Sequence, residues 1–114
     1  VQTIVPIMLN HVHQGRLTLM HLARLLADNP ARIYGLQNKG RLQVGYDADF
    51  TLVDLHRTET ITQAWSASKC GWTPFDGMRV TGWPVGTIIR GQHVMADGEI
   101  LGQPQGQGVF FQPA

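Results

Sequence analysis

Two histidines separated by one residue, His11 and His13, form the part of this chain that most resembles a metal-binding motif. Residues i and i+2 share a face on a β-strand, but they lie about 200° apart around a helix. The apolar spacing across residues 5–12, with Pro6 near its start and Gly15 after it, predicts a helix. The two imidazoles therefore cannot reach one ion, and we expect them to have surface or packing roles.

Three aspartates, Asp47, Asp49 and Asp54, could supply paired carboxylates for acid–base catalysis or ligands for a hard cation. They border an apolar segment at residues 48–55, and the first two follow Gly45 in a sequence with turn chemistry. Aspartate side chains at such positions commonly accept hydrogen bonds from backbone N–H groups. We therefore expect these three residues to stabilise a turn and the ends of a strand.

Cys70 is the one cysteine, which excludes an intrachain disulfide, and Lys69 beside it could favour the thiolate. A nucleophilic thiol also needs a base, and no sequence feature places a histidine next to Cys70. We therefore expect a buried or partly buried structural cysteine. Trp65, Trp72 and Trp83 could line a pocket, although such rings more often supply core or interface area.

The other histidines, His21, His56 and His93, show no ligand spacing. The chain also contains no Gly-rich phosphate loop, no Cys-x-x-Cys pair and no Gly-x-Ser-x-Gly motif. Residue types and spacing therefore identify no catalytic residue, no metal ligand and no substrate-binding residue in this chain.

Three short helices are predicted to position the first of these residues. The first runs from Val5 to a C-cap at Gly15, and Thr18 caps a second amphipathic helix across residues 19–26. Asn29 and Pro30 restart the chain as the N-cap and first residue of a third helix. The predicted helical part ends by residue 35.

The remainder of the chain has the composition of strands and turns. Residues 48–55 are apolar on both alternations, which predicts a strand covered on two faces. Strands at 87–89 and 93–95 flank a tight turn at Arg90-Gly91, and a third follows at 99–101. A long packed loop is predicted at 64–84, and residues 103–108 predict a flexible tail.

Composition limits the classes of partner. Nine Lys and Arg against eight Asp and Glu argue against nucleic acid, and no apolar run reaches the roughly 18 residues of a membrane helix. Charged residues are only 15% of the chain, below the roughly 25% of ordinary soluble domains, so much of its surface is expected to contact protein. The start has no basic signal region, and we expect a cytoplasmic protein.

Two linked segments carry a resemblance to a known family. Residues 26–36 (LADNPARIYGL) and 39–54 (KGRLQVGYDADFTLVD) resemble the closing region of the amidohydrolase superfamily. Residues 68–77 (SKCGWTPFDG) and 81–91 (TGWPVGTIIRG) are similar to dihydroorotases of its cyclic-amidohydrolase branch, and hydantoinases and allantoinases carry related loops. Residues 1–9 resemble the stretch after the last barrel strand, with Gln2 where glutamate is usual.

The resemblance implies an α+β fragment. Residues 1–38 would be the last helices of a (β/α)8 barrel, and residues 39–114 would be strands of a small composite β-sandwich domain. The N-terminal strands of the same enzyme normally complete that domain. The match covers nearly the whole chain, but only about the C-terminal quarter of such an enzyme.

The activity that the resemblance implies is the reversible hydrolysis of dihydroorotate to N-carbamoyl-aspartate in pyrimidine biosynthesis. In this family one or two zinc ions activate the water, and the metal ligands and catalytic aspartate precede the matched segment. None of them transfers to this chain, so we expect residues 1–114 alone to be inactive. The expected partners are the N-terminal remainder of the enzyme, a small cyclic amide and further copies of the enzyme in a homo-oligomer.

Three other interpretations stay open. The enzyme could be a hydantoinase or allantoinase type of cyclic amidohydrolase. It could also be a non-catalytic dihydroorotase-like subunit that has lost its metal ligands and serves in assembly. Finally, the chain could be a complete small binding module with a tryptophan-lined groove, although its apolar surface is large for so small a core.

Overall fold

The computed structural model describes residues 1–112 as a small α+β piece in two compact units. One unit combines Val1–Leu19 with Val53–Pro84, and the other combines Met20–Leu52 with the residues from Val85 onward. No helix in the described part of the chain is long and apolar enough to cross a membrane. The elements in order are α1 (Ile4–His13), α2 (Leu19–Ala23), a π-helical turn (Arg24–Asp28), α3 (Asn29–Ile33), β1 (Phe50–Thr60), β2 (Arg79–Ile89), β3 (Gln92–Ala96) and β4 (Glu99–Ile100).

Helix α1 confirms the first predicted helix. Pro6 lies in its first turn, where a backbone N–H would have no acceptor within the helix, and its ring is buried. The helix ends at His13 with Gln14 as its C-cap, one residue before the cap predicted at Gly15, and the N–H of Gly15 donates to the carbonyl of Val12 at 3.0 Å. The N–H of Arg16 donates to the carbonyl of His11 at 3.0 Å, which completes the end of the helix.

The second and third predicted helices form one uninterrupted helical run, so the predicted restart at Asn29 is wrong. Asp28 and Asn29 both have helical dihedral angles, with φ of −64° at each. The N–H of Asn29 donates to the carbonyl of Arg24, five residues earlier, which widens the helix by one residue per turn. We attribute the absence of a break to this π-helical turn, because the ring of Pro30 would collide with the preceding turn of a regular α-helix.

The four strands form one sheet in the order β1-β2-β3-β4. Strands β2 and β3 are antiparallel, with Ile89 opposite Gln92, and β3 and β4 are antiparallel. Arg90 and Gly91 form the first turn with φ of 46° and 78°, and Asp97 and Gly98 form the second with φ of 47° and 86°. The predicted three-strand meander is confirmed, since paired positive φ values match the twist of a hairpin.

Two strands differ from their predicted limits. Strand β1 extends to Thr60, beyond residue 55, and β2 begins at Arg79 inside the predicted loop 64–84. Gly82 and Pro84 resemble turn residues, but the neighbouring Val80 and Trp83 are buried and favour a strand. Strand β1 was also predicted to be covered on two faces, yet Leu52 and Leu55 remain 43% and 37% exposed.

Each unit has its own small core. In the first unit Ile61, Val80 and Leu9 are buried, and Gly82 lies so close to Leu9 that an added Cβ would be 2.6 Å from the Leu9 Cβ. Its φ of 104° is a second reason for glycine at this position. In the second unit the buried residues include Leu22 and Ala31, both on the helical run.

The predicted tail contains no helix or strand across residues 101–110, but its contacts lie within the second unit. The carbonyl of Gln105 accepts a hydrogen bond from the Arg90 guanidinium. Phe111 forms an isolated antiparallel bridge with Leu36, and the N–H of Gln112 donates to the carbonyl of Gly35 at 2.8 Å. Composition could not predict these contacts, because they depend on distant backbone atoms.

Candidate functional site

The two histidines of the His-x-His motif, His11 and His13, have different surroundings in the structure. Both lie on α1, where His13 is exposed and His11 is half-buried. The Nδ1 atom of His11 lies 3.0 Å from a guanidinium nitrogen of Arg16. Within residues 1–112, no group of three His, Cys, Asp or Glu side chains could hold a metal ion. The residues present therefore do not fit a zinc centre by themselves.

The remaining histidines are distributed over three elements. His21 lies on α2, His56 on β1 and His93 on β3, and all three are exposed. None belongs to a cluster of metal ligands in the described residues.

Lys39, Asp47 and Asp49 form an ion-pair cluster in the second unit. The Lys39 Nζ lies 2.8 Å from an Asp47 carboxylate oxygen and 2.5 Å from an Asp49 oxygen. The other oxygen of Asp49 accepts a hydrogen bond from the backbone N–H of Arg90 at 2.9 Å. Asp49 therefore stabilises a turn, in agreement with its turn chemistry.

The cluster shifts the pKa values of Lys39 and Asp49 away from neutral pH. Hydrogen bonds to Asp47 and Asp49 raise the pKa of Lys39 above its ordinary value. Burial of Asp49 favours its neutral form, but the Lys39 ammonium and the Arg90 N–H outweigh burial and lower the pKa of Asp49. Both groups stay charged at neutral pH, which suits an ion pair and not a general acid or base.

Asp54 has a local structural contact as well. Its Oδ1 accepts hydrogen bonds from the N–H of His56 at 2.9 Å and the N–H of Arg57 at 3.2 Å. Asp54 therefore organises the backbone of β1.

A cavity of about 180 Å³ lies beside the ion-pair cluster in the second unit. Its volume is below the roughly 300 Å³ at which ligand pockets usually begin. Lys39, Asp47 and Arg90 are charged residues of its wall, and Lys39 pairs with Asp47 there. Its lining residues are Gln37, Asn38, Lys39, Asp47, Arg90, Gln107, Gly108, Val109 and Phe110.

The segment between β1 and β2, residues 62–77, is called the 62–77 loop below. Its two ends are joined because the N–H of Ile61 donates to the carbonyl of Met78 at 2.9 Å. The N–H of Gln63 donates to the Asp76 carboxylate at 2.8 Å, and the side chain of Thr73 is buried. These contacts hold the two ends of the loop together, whereas most side chains between them are exposed, so the loop is less packed than the sequence predicts.

Cys70 is exposed in the 62–77 loop, so the expected burial of this cysteine is wrong. Its Sγ lies 3.0 Å from the Ser68 hydroxyl. Its thiol also contacts the carbonyl of Trp72 at 3.5 Å. The Ser68 hydroxyl and the backbone at Trp72 lower the pKa of Cys70, and Lys69 is not among the main causes. Neither Ser68 nor a carbonyl can take a proton from the thiol, so these contacts do not form a nucleophile with its base.

The three tryptophans do not share one surface. Trp65 and Trp83 contact each other in the first unit, with ring centroids 4.8 Å apart and planes tilted by 47°. Trp83 is 8% exposed, whereas Trp72 is 59% exposed. The Trp65–Trp83 pair therefore contributes to the core of the first unit, as expected for such rings.

Sequence reasoning assigned no contact to three residues that have defined contacts in the structure: Gln2, Asn10 and Lys39. The Gln2 side chain hydrogen-bonds the backbone at Trp65 and Ala67. Buried Asn10 bonds the backbone of β2, and Lys39 bridges two aspartates. The nearby aspartates were a possible signal for Lys39, but nothing local identifies the partners of Gln2 or Asn10.

Comparisons with known proteins agree on one family. The family model described as the amidohydrolase family matches residues 3–94. A dihydroorotase of Methanothermobacter thermautotrophicus is 46% identical over 110 residues, which is 96% of this chain and 25% of that protein. An L-hydantoinase of Paenarthrobacter aurescens is 42% identical over 111 residues, which is 96% of this chain and 24% of that protein.

A solved structure gives the same result for the fold. The L-hydantoinase (dihydropyrimidinase) from Arthrobacter aurescens aligns with a TM-score of 0.83 and 40% sequence identity. The alignment covers 87% of this chain and 22% of that chain. This chain therefore spans about a quarter of the length of the curated relatives it matches.

Proposed function

Because the chain belongs to the amidohydrolase family, we propose that it is the C-terminal part of an enzyme that hydrolyses a cyclic amide. The observation that carries this proposal is the identity, above 40% across nearly the whole chain, to proteins named for such hydrolysis. This chain covers only 25% of the dihydroorotase, which supports its assignment to a larger enzyme.

Dihydroorotate is the first substrate we propose, with N-carbamoyl-aspartate as the product of ring opening in pyrimidine biosynthesis. The dihydroorotase that is 46% identical supports this choice. A hydantoin is the second candidate, supported by the L-hydantoinase sequence and by the similar hydantoinase structure. Both reactions add water across one amide C–N bond of a ring, so they differ in the ring that is recognised and not in the bond that breaks.

The role proposed for this chain is structural. Residues 1–38 would close the barrel and residues 39–114 would form strands of the small β-domain. Exposed apolar side chains support this role, because Leu52 and Leu55 on β1, with Leu42 and Val44 before it, lack cover from the chain itself. The remainder of the polypeptide is the proposed cover for these residues.

Zinc is the proposed metal, held by residues outside this chain. The absence of a three-ligand cluster in residues 1–112 supports this placement of the ligands. We further propose a cytoplasmic homo-oligomer; an exposed, unpaired Cys70 is compatible with a reducing compartment. Native mass of the purified enzyme and cell fractionation would test these two points.

The proposal is tested on the full-length polypeptide that contains this chain, purified from its native source. Intact mass and metal analysis come first, followed by assays with dihydroorotate and with hydantoin. We expect a polypeptide about four times as long as this chain, one or two equivalents of zinc, and a higher kcat/KM for dihydroorotate.

Each other outcome changes the proposal in a defined way. A higher kcat/KM for hydantoin would transfer the assignment to the second substrate. A longer chain that binds no metal and turns over neither ring would indicate the non-catalytic assembly subunit. Turnover by residues 1–114 alone would contradict the structural role, with a sample of the full-length enzyme as the control.

A further inference from the structure

Residues 103–112, called the strap below, follow strand β4 as part of the second unit. Every side chain of the strap is exposed, and residues 103–110 form no helix or strand. Gly106 and Gly108 have open space where a Cβ would be. The strap is therefore held through its backbone and not by burial of its side chains. Segments of this kind open locally at low free energy.

Two attachments hold the backbone of the strap. The carbonyl of Gln105 accepts a hydrogen bond from the Arg90 guanidinium, and the charge of the donor makes this bond stronger than one between neutral groups. The N–H of Arg90 donates to the Asp49 carboxylate, which fixes the turn that carries the guanidinium. At the far end of the strap the N–H of Gln112 donates to the carbonyl of Gly35 at 2.8 Å, beside an isolated antiparallel bridge.

Between these attachments the strap forms part of the wall of the cavity beside the ion-pair cluster. Residues 107–110 line this cavity together with Lys39 and Asp47. The side chain of Lys39 is only 19% exposed while the strap is in place. Displacement of residues 107–110 would therefore give water and reagents more access to the Lys39 ammonium.

We propose that the strap opens and closes as one piece, with Arg90 as its anchor, and that opening exposes the ion pair of Lys39 and Asp47. The strap has no buried side chain to hold it once one attachment is lost. Each attachment also keeps the partner atoms of the other within reach, because it shortens the loop that must close. Loss of either attachment therefore raises the open fraction of the whole strap.

The first experiment alters the Arg90 end and measures the Gln112 end, in the full-length protein. Arg90→Met keeps the aliphatic part of the side chain and removes the donor. Hydrogen exchange at the Gln112 N–H, corrected for intrinsic rates, should become about fivefold faster, the effect of losing one hydrogen bond. Exchange at Leu101, which donates to Val94 before the strap begins, should not change. Arg79→Met removes the same charge at an exposed position of the first unit and is the matched control.

The second experiment alters the Gln112 end and measures access to the cavity. Gln112→Pro removes the N–H that donates to Gly35, whereas Gln112→Ala keeps it and is the matched control. Acetylation by acetic anhydride is followed by mass spectrometry at Lys39, with exposed Lys69 of the first unit as the internal reference. Acetylation of Lys39 should be about fivefold faster in Gln112→Pro, with no change at Lys69 and none in Gln112→Ala.

Each experiment can overturn the proposal. If Arg90→Met speeds exchange at Gln112 by less than about twofold, the longer loop alone explains the change and the strap does not open as one piece. If Gln112→Pro leaves the acetylation of Lys39 unchanged, the strap does not cover the ion pair. Equal increases at Lys39 and Lys69, or equal effects of Gln112→Pro and Gln112→Ala, would exclude opening of the strap as the cause. Thermal unfolding verifies that every variant is folded.

Discussion

The side-chain oxygen of Asn10 accepts a hydrogen bond from the backbone N–H of Thr81 at 3.0 Å. Asn10 is near the end of α1 and 6% exposed, and Thr81 belongs to the part of β2 that lies in the same unit. A helix side chain thus satisfies a strand donor that would otherwise be left without a partner. The contact joins two elements that are distant in sequence.

Substitution of Asn10 by leucine should destabilise the protein. The change keeps the size of the side chain but leaves the Thr81 N–H without its acceptor, at a cost of about 1–3 kcal/mol. Urea unfolding of the full-length protein measures the difference. Gln14→Leu, at the exposed C-cap of the same helix, is the matched control and should change stability by less than about 0.5 kcal/mol. Equal effects of the two variants would refute this role of Asn10.

Gly40 should tolerate no side chain. A Cβ there would lie 2.7 Å from the Ala31 Cβ and 2.8 Å from the carbonyl oxygen of Ala27, at a φ of 85°. Gly40→Ala should therefore lower stability by about 3 kcal/mol through strain and steric overlap. Gly45, with a φ of 91° and no atom within 4 Å of an added Cβ, isolates the backbone contribution. Thermal unfolding of both variants measures the difference. Gly45→Ala should cost about 1 kcal/mol, and a loss of stability there as large as the loss at Gly40 would contradict the packing argument.

Removal of the Lys39 charge should have a pH-dependent effect on stability. Lys39→Met leaves Asp47 and Asp49 without their cation and should cost about 0.5–1 kcal/mol near neutral pH. The pKa of Asp49 is lowered from 3.8 in the folded protein, so its contribution is present above 3.8 and is lost as pH falls through the lowered pKa. The pKa of Lys39 is raised from 10.5, so its contribution is lost as pH rises through the raised pKa.

Unfolding in urea between pH 3 and pH 7 measures this effect. The difference between wild type and Lys39→Met should shrink towards pH 3. Lys69→Met removes the same charge at an exposed position with no ion pair among the described residues, and it should show no such trend. A constant difference at all pH values would exclude the ion pair as the cause.

The Cys70 thiol should react at lower pH than an ordinary cysteine. Hydrogen bonding from Ser68 lowers the pKa of Cys70 from 9.0, which favours the reactive thiolate. The rate of alkylation by iodoacetamide, measured against pH, should therefore have its midpoint below 9.0. Ser68→Ala should raise the midpoint and slow alkylation at pH 7, whereas Ser68→Thr keeps the hydroxyl and should resemble wild type. If the midpoint of the alkylation rate against pH is unchanged in Ser68→Ala, Ser68 does not lower the pKa of the Cys70 thiol.

Local patterns predicted the elements whose formation depends on nearby residues. Helix α1, its termination just before Gly15, and the turns at Arg90-Gly91 and Asp97-Gly98 all follow from spacing and turn chemistry within a few residues. The same reasoning placed a break at Asn29, where the structure continues through a π-helical turn. The hydrogen bond from Asn29 to Arg24 is an alternative geometry that sequence spacing does not distinguish.

By itself, the sequence determined the α+β class and the amidohydrolase resemblance. Both depend on periodicity and motifs formed by residues that are close along the chain. Only the tertiary structure decided the start of β2 and the partners of Gln2, Asn10 and Lys39. Each of these contacts joins a side chain to atoms whose position depends on how intervening segments pack. Burial of Val80 and Trp83 likewise outweighs the local turn preference of Gly82 and Pro84, since burial is a property of the folded chain and not of the segment.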